Sequence, residues 1–483
     1  MLQDTPAPGE RMDLALARIA EEKRERTGHL SLTNLGLRSL PDALFELTHL
    51  RSLTLGGSHD RWRITEIKSE QGWIPTDKPF NPNRLDFQSL DLSVLDELTA
   101  LDLSGLKTET AVFVTYLSRL ETLDISFSKI RDLSFLHELN ALSHLDCSDT
   151  RVNDLSPLRG LNTLSHLHCF NTQITDLSPL QRLGALSHLN CSYTPVANLS
   201  ALRGLNTLSH LHCFNTQVTD LSPLQGLGTL FHLNCSHTPI TNLSPLRGLN
   251  SLSYLDCSST QVSDLSPLRG LNALSHVDCS FTRITDLSPL QGLNVLSHLG
   301  CSHTQIADLF PLQKLSSLSY LDCSVTRVAD LSPLQKLNAL SPLNCLGTQV
   351  ADISPLHRFK ALSYFNCSGT QISDFSPLQE LHALSYFDCS TTRITDLSFL
   401  WGLNVLSHLK CACTPVSDLS PLHGLNTLSY LNCSSTQITD LAPLQGLNAL
   451  SDLDCSNTQI ADLSPLCGLN ALSHLPLFQH SSL

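Results

Sequence analysis

From residue 142 onward the apolar positions fall into one fixed order. Leu142, Leu145, Cys147, Val152, Leu155, Leu158 and Leu161 are separated by polar or small residues, and the order returns every 22 residues. Leu145 and Cys147 stand two apart, so both point to one face of a short strand. Ser156-Pro157 then opens the other half of the unit. Serine suits a helix N-cap and proline the first helical position. The segment "SPLRGL" is therefore predicted to form one turn of 3-10 or α helix, with Leu155, Leu158 and Leu161 in the core. A strand this short is not stable alone. Stacked copies form a parallel sheet with about 4.8 Å between strands, and each unit touches only its neighbours, which makes a solenoid.

One apolar place is taken by cysteine. Cysteines stand at 147, 169, 191 and so on to 455, fifteen in all, and only Cys413 and Cys467 fall outside the column. An inward-facing free cysteine behaves as a small hydrophobe. Disulfides between neighbours would also need suitably aimed Cβ vectors, which run side by side in an in-register ladder. The column is therefore predicted to be buried thiols, which suits a reducing cytoplasm. Three residues beyond each cysteine a threonine recurs, Thr150 through Thr458. Its hydroxyl is expected to satisfy backbone groups where the chain leaves the strand.

Aligned on the cysteine, the unit reads L-x-x-L-x-C-x-x-T-x-[VI]-x-[DN]-[LIF]-x-x-L-x-x-[LF]-x-x, with rare exceptions. This resembles the leucine-rich repeat, with Cys at its third apolar site and Thr at its Asn site. The "DLSPL" segments resemble the 22-residue class of internalins and other bacterial proteins. The resemblance covers roughly residues 30 to 477. It implies an α/β fold: a curved leucine-rich repeat solenoid with a parallel sheet on the concave face and short 3-10 or α turns on the convex face.

Residues 1–28 are expected to be a helical cap, with Leu14, Leu16, Ile19 and Ala20 on the apolar side of a helix over 12–27. Residues 29–55 hold the first repeats, with Asn34 at the usual Asn site. Residues 56–90 break the period with many charges, Trp62 and Trp73, and are expected to be a protruding loop insertion. The solenoid runs over 91–477, followed by a tail, 478–483, without a cap. An open edge of this kind could pair with a second copy. The "LTLGG" start before an insertion resembles the leucine-rich regions of Roco-type proteins, although no G-x-x-x-x-G-K-[ST] occurs.

The chain has 483 residues, a formal net charge of −14 and no basic stripe, a poor match for nucleic acid or anionic membrane. No run of 18 apolar residues and no signal-type N-terminus is present, so a cytoplasmic protein is expected. The exposed strand positions form columns. The first reads His144, His166, His188, His210, His232 and then mixes His with Tyr. The second is mostly Asp or Asn, with His168 and His212 as exceptions. The third is nearly all Ser, broken by Phe170, Phe214 and Leu346. Stacked histidines could serve a transition metal and the column Asp154, Asp176, Asp220 calcium. Duplication of a polar residue and caps on backbone N–H groups account for both columns more simply, and no cofactor is expected. No catalytic arrangement stands out. Cys413, near His408 and Lys410, is the candidate exposed thiol. Exposed aromatics in a polar setting are usual anchors of protein interfaces. His166, His168, Phe170, Tyr193, His210, His212 and Phe214 are therefore expected to contact a protein partner. The chain reads as a non-catalytic interaction scaffold. The alternatives are a regulatory fragment of a Roco-like signalling system and a secreted leucine-rich effector.

Overall fold

The computed structural model describes residues 10–57, 83–85 and 91–476. The expected tryptophan loop around Trp62 and Trp73 and the tail 478–483 lie outside the described residues. The chain divides into two units, Met1–Pro239 and Ile240–Leu483.

In the first unit a helix, α1 (Met12–Glu25), precedes nine described strands. These are β1 (His29–Ser31), β2 (Ser52–Thr54), β3 (Ala100–Asp102), β4 (Thr122–Asp124), β5 (His144–Asp146), β6 (His166–His168), β7 (His188–Asn190), β8 (His210–His212) and β9 (His232–Asn234). Consecutive strands pair in parallel and in strict register, for example Leu145 with Leu167 and Leu167 with Leu189. The second unit repeats the plan from β10 (Tyr254–Asp256) to β19 (Asp452–Asp454), joined by 3-10 turns such as Ser266–Leu268. The fold is a leucine-rich repeat solenoid, as the 22-residue pattern predicts.

The fifteen column cysteines are free and buried, and Cys413 and Cys467 are free and exposed. Burial pushes the Cys191 thiol up to about 12, so the reactive thiolate is absent near neutral pH. All fifteen threonine hydroxyls donate to the carbonyl of their own repeat's cysteine, for example Thr150 to Cys147 at 2.6 Å. The expected aspartate caps also form. The Ser156 N–H donates to Asp154 Oδ1 at 2.8 Å, and the Ser156 hydroxyl donates to Oδ2 at 2.6 Å. One detail is corrected. Leu155 is the residue before the 3-10 turn and makes no side-chain cap, so Asp154 is the acceptor and Ser156 a donor.

The N-terminal end departs further from expectation. Helix α1 forms, but Leu16 is 45% exposed, and Ala15, Ile19 and Glu22 are the buried positions. Glu22 is an anchor. Its carboxylate accepts from the Gly28 N–H at 2.7 Å and the Thr27 hydroxyl at 2.5 Å, and lies 2.8 Å from His49 Nε2. Burial alone would raise this carboxyl. The bonds from Thr27, Gly28 and His49 outweigh burial and hold it below the ordinary value.

Asn34 does not occupy the Asn site. Three residues beyond Leu32, the equivalent of Cys147, stands Leu35; Asn34 takes a left-handed turn position with φ 58. Leucine cannot do the hydroxyl's work. Asn83 does it from far along the chain. Its amide donates to Leu32 O and Leu55 O, both at 2.8 Å, and its oxygen accepts from the Leu37 N–H at 2.9 Å. Asn83 is 2% exposed.

Two outcomes are expected. Native alkylation should label Cys413 and Cys467 quickly and the column slowly; rapid labelling of more than a handful of thiols would contradict the buried ladder. Asn83→Ala leaves three buried backbone groups unpaired and should cost about 2 kcal/mol or more. Hydrogen exchange should locate that loss in residues 29–57.

Candidate functional site

The exposed face of the first unit is built by strand alternation. Inward Leu145, Leu167, Leu189 and Leu211 are at most 2% exposed, which turns the flanking residues outward. Strict register then stacks like on like. The rings of His144, His166, His188 and His210 form a ladder with centroids 4.1, 4.1 and 4.2 Å apart and planes within 14° of parallel.

A serine before each histidine holds the ladder. The hydroxyls of Ser165, Ser187 and Ser209 donate to the carbonyl of the serine one repeat back, at 3.0, 3.1 and 3.1 Å. The same oxygens lie 2.8, 2.8 and 2.9 Å from Nδ1 of His166, His188 and His210. A hydroxyl has one proton. With that proton on the carbonyl, the oxygen accepts, so Nδ1–H donates and Nε2 is the unprotonated nitrogen. At β9 the serine place is held by Phe231, and the His210–His232 centroid distance opens to 5.7 Å.

His168 and His212 stand in the neighbouring column. His168 Nδ1 lies 3.8 Å from Asp146 Oδ2, and His212 lies 4.6 Å from the His232 ring. Asp102, Asp124 and Asp146 precede them in register. Burial, and then the charges of Asp146 and Asp102, push the Asp124 carboxyl up to about 7. Together with Ser52, Thr54, Ala100, Thr122, His144, His166 and His168, these aspartates line an open concavity of about 280 Å³.

Phe170, Tyr193 and Phe214 meet in one cluster. Tyr193 packs edge-on against both phenylalanines with centroids 5.2 Å apart, and the phenylalanine centroids are 6.3 Å apart. Two strand spacings would hold them about 9.6 Å apart, so the rings lean together. Ser192, between them in the column, is fully buried and its hydroxyl has no hydrogen-bond partner. Tyr193 is left-handed at φ 55, as the equivalent Asn171 and Asn215 are at φ 51 and 52, and is 48% exposed.

The seven expected contact residues thus fall into two groups, a histidine tract and an aromatic cluster. His188 joins His166 to His210 and was absent from the expected set. The serine ladder was missed as well, although the recurring "LSH" carries its signal. Stacked imidazoles aim their nitrogens in parallel, and among the described residues no three His, Cys, Asp or Glu side chains form a metal-holding group. In the second unit Lys410 breaks the Asp/Asn column, its ammonium 5.5 and 5.6 Å from the Tyr386 and Tyr430 rings. Among the described residues no helix is long and apolar enough to cross a membrane.

His166 and His212 resist protonation. Burial, then the neighbouring imidazoles, bring His166 and His212 down to about 4. Between about pH 6.5 and 4 the unfolded chain binds these protons and the native state does not, so the tract's stability is lost as pH falls through that window. Asp124 acts in the opposite sense. Thermal unfolding from pH 7 to 5 should show a falling midpoint, with a shallower fall in His166→Asn/His212→Asn. An equal slope in the variant would refute the sign.

A family model described as leucine rich repeats, in two copies, matches residues 140–182, 229–270, 250–292 and 426–468. No curated protein matches the chain. Among solved structures the chain is similar to an internalin, InlF, of Listeria monocytogenes. The identity is 27%, over 66% of this chain and 88% of that one, with a TM-score of 0.58. The functional domain of InlJ from the same organism, which includes a cysteine ladder, is 26% identical over 71% of this chain and 75% of its own, with a TM-score of 0.59. YopM from Yersinia enterocolitica covers 99% of this chain and 97% of its own at 17% identity and a TM-score of 0.59, a likeness of fold alone. The chain carries leucine-rich repeats and folds as their solenoid, with a likeness to the Listeria internalins.

Proposed function

We propose that the protein is a non-catalytic scaffold that takes a protein partner on the exposed strand face of its first unit. The Phe170–Tyr193–Phe214 cluster is the observation that carries this reading. Three mutually packed rings form a preorganised apolar patch within a polar face, and rigid aromatics lose little entropy on binding. The histidine tract beside it, His166, His168, His210 and His212, presents polar rims, and burial brings His166 and His212 down to about 4. Leucine-rich repeat folds typically serve as protein-binding scaffolds. The acidic balance, −14 overall, argues against nucleic acid as the ligand. Fifteen buried free thiols favour a reducing cytoplasm. The signalling-fragment and secreted-effector readings have no observation of their own in their favour.

The test uses a photo-crosslinker at Tyr193 to identify the partner in native cells, followed by binding of that purified partner. Phe170→Ser/Phe214→Ser restores the column serine at both places. Each lost anchor should weaken binding about thirtyfold, while unfolding shifts by at most about 1.5–4.5 kcal/mol, the value of the three ring contacts removed. Ser258→Ala/Ser280→Ala in the same column should leave affinity unchanged. Unaltered affinity in the phenylalanine variant would move the contact elsewhere.

A further inference from the structure

Away from the strand face, the first unit has a second polar concavity of about 520 Å³, lined by Arg131, Arg151, Asn153 and Gln173. Backbone pairing assembles it. The Arg151 N–H donates to Ile130 O and the Gln173 N–H to Val152 O, both at 2.9 Å. Ile130 and Val152 are fully buried, so the residues on either side of each turn outward. Arg151 is thereby set beside Arg131, and Gln173 beside Asn153.

Among the described residues no carboxylate holds the two guanidiniums. Arg11, Arg24 and Arg119 of the same unit pair with Asp13, Glu25 and Glu97. Among the described residues neither Arg131 nor Arg151 is in an ion pair. The nearby Asp154 is occupied by Ser156, and the cation that acts on it is Arg159. Glu109 holds the place before Arg131 in the repeat column, without an ion pair to it. The arrangement breaks the repeat. From Asn153 onward Arg131's column holds only uncharged residues, through Ala461. Arg283 repeats Arg151's place in the second unit, but its neighbour in the other column is Ser263.

We propose that this pocket binds a phosphate-type oxyanion. Each guanidinium is a planar fork of N–H donors that matches oxyanion geometry, and Asn153 and Gln173 add amide donors. A carboxylate has one charge and two oxygens. A phosphate monoester has nearly two charges and three acceptor oxygens, which suits two cations and two amides in one pocket. The group is either free phosphate or the phosphorylated residue of a protein. The site shares no residue with the aromatic cluster and does not depend on the proposed docking there.

The test follows the Arg Nε–H signals of the full chain by NMR, with sodium phosphate, O-phospho-L-serine and sodium acetate as probes in about 0.1 M chloride, where screening acts over about 10 Å. Arg131 and Arg151 should shift saturably with phosphate, with a Kd on the order of 1 mM, and respond weakly to acetate. Arg131→Gln and Arg151→Gln should each weaken binding about tenfold or more. Arg131→Lys, which keeps the charge but not the fork, should fall between, and Arg283→Gln should change nothing. Tighter binding of phosphoserine than phosphate would assign the group to a phosphorylated residue; the reverse would assign it to free phosphate. Shifts that never saturate, an equal response to acetate, or undiminished affinity in both Gln variants would overturn the proposal.

Discussion

The carbonyl of His168 accepts two bonds from the repeat before it, from the Cys147 N–H at 2.8 Å and from the Cys147 thiol at 3.4 Å. The pair recurs down the column, as at Asn190 and Asp278. These contacts pin each strand to the next with no slip, since a shift of one residue would turn the buried leucines outward. Cysteine suits the place on two counts. It is small enough for a fully packed interior, and its S–H adds a weak donor to a carbonyl already in the ladder. Once that register is fixed, residue n stands on residue n + 22, and every other feature becomes a column.

Columns explain what could be read from the sequence. Burial of Leu145, Cys147 and Val152, the threonine bond to the cysteine carbonyl, and the aspartate or asparagine at the head of the repeated 3-10 turns all depend on residues within one repeat. Repetition displays each of them many times. The features that were not legible need partners the repeat does not contain. Asn83 reaches Leu32 and Leu55 from 51 and 28 residues away. Glu22 is a carboxylate buried at the edge of the helix, where a charged residue is ordinarily solvated. Its anchoring role needs Thr27, Gly28 and His49 together, and none of them is marked in the local pattern. The expected helix face erred for the same reason, because apolar spacing cannot say that Leu16 faces solvent while Glu22 does not.

The histidine column was visible, but its state was not. Which imidazole nitrogen carries the ring proton depends on the serine hydroxyl's own proton. Where that proton goes is decided by a carbonyl one repeat away. The loosening at His232, where Phe231 replaces the serine, shows the dependence within the chain itself. The aromatic cluster likewise needed geometry. Phe170 and Phe214 are legible as breaks in a serine column, but their convergence on Tyr193 is a property of three repeats.

A break in a column is settled locally, because each repeat exchanges energy only with its neighbours. The aromatic cluster allows the terms to be compared. Against it stands the Ser192 hydroxyl, buried without a partner, at about 1–3 kcal/mol. In its favour are three ring contacts at about 0.5–1.5 kcal/mol each, with the apolar area the rings hide from one another. These terms are of similar size, so the cluster adds little to folding. A serine at each place would fold as well, as the rest of the column does. What the rings change is the surface: an apolar patch, with Tyr193 48% exposed, in a face otherwise rich in hydroxyls, carboxylates and imidazoles. The proposed docking rests on that combination.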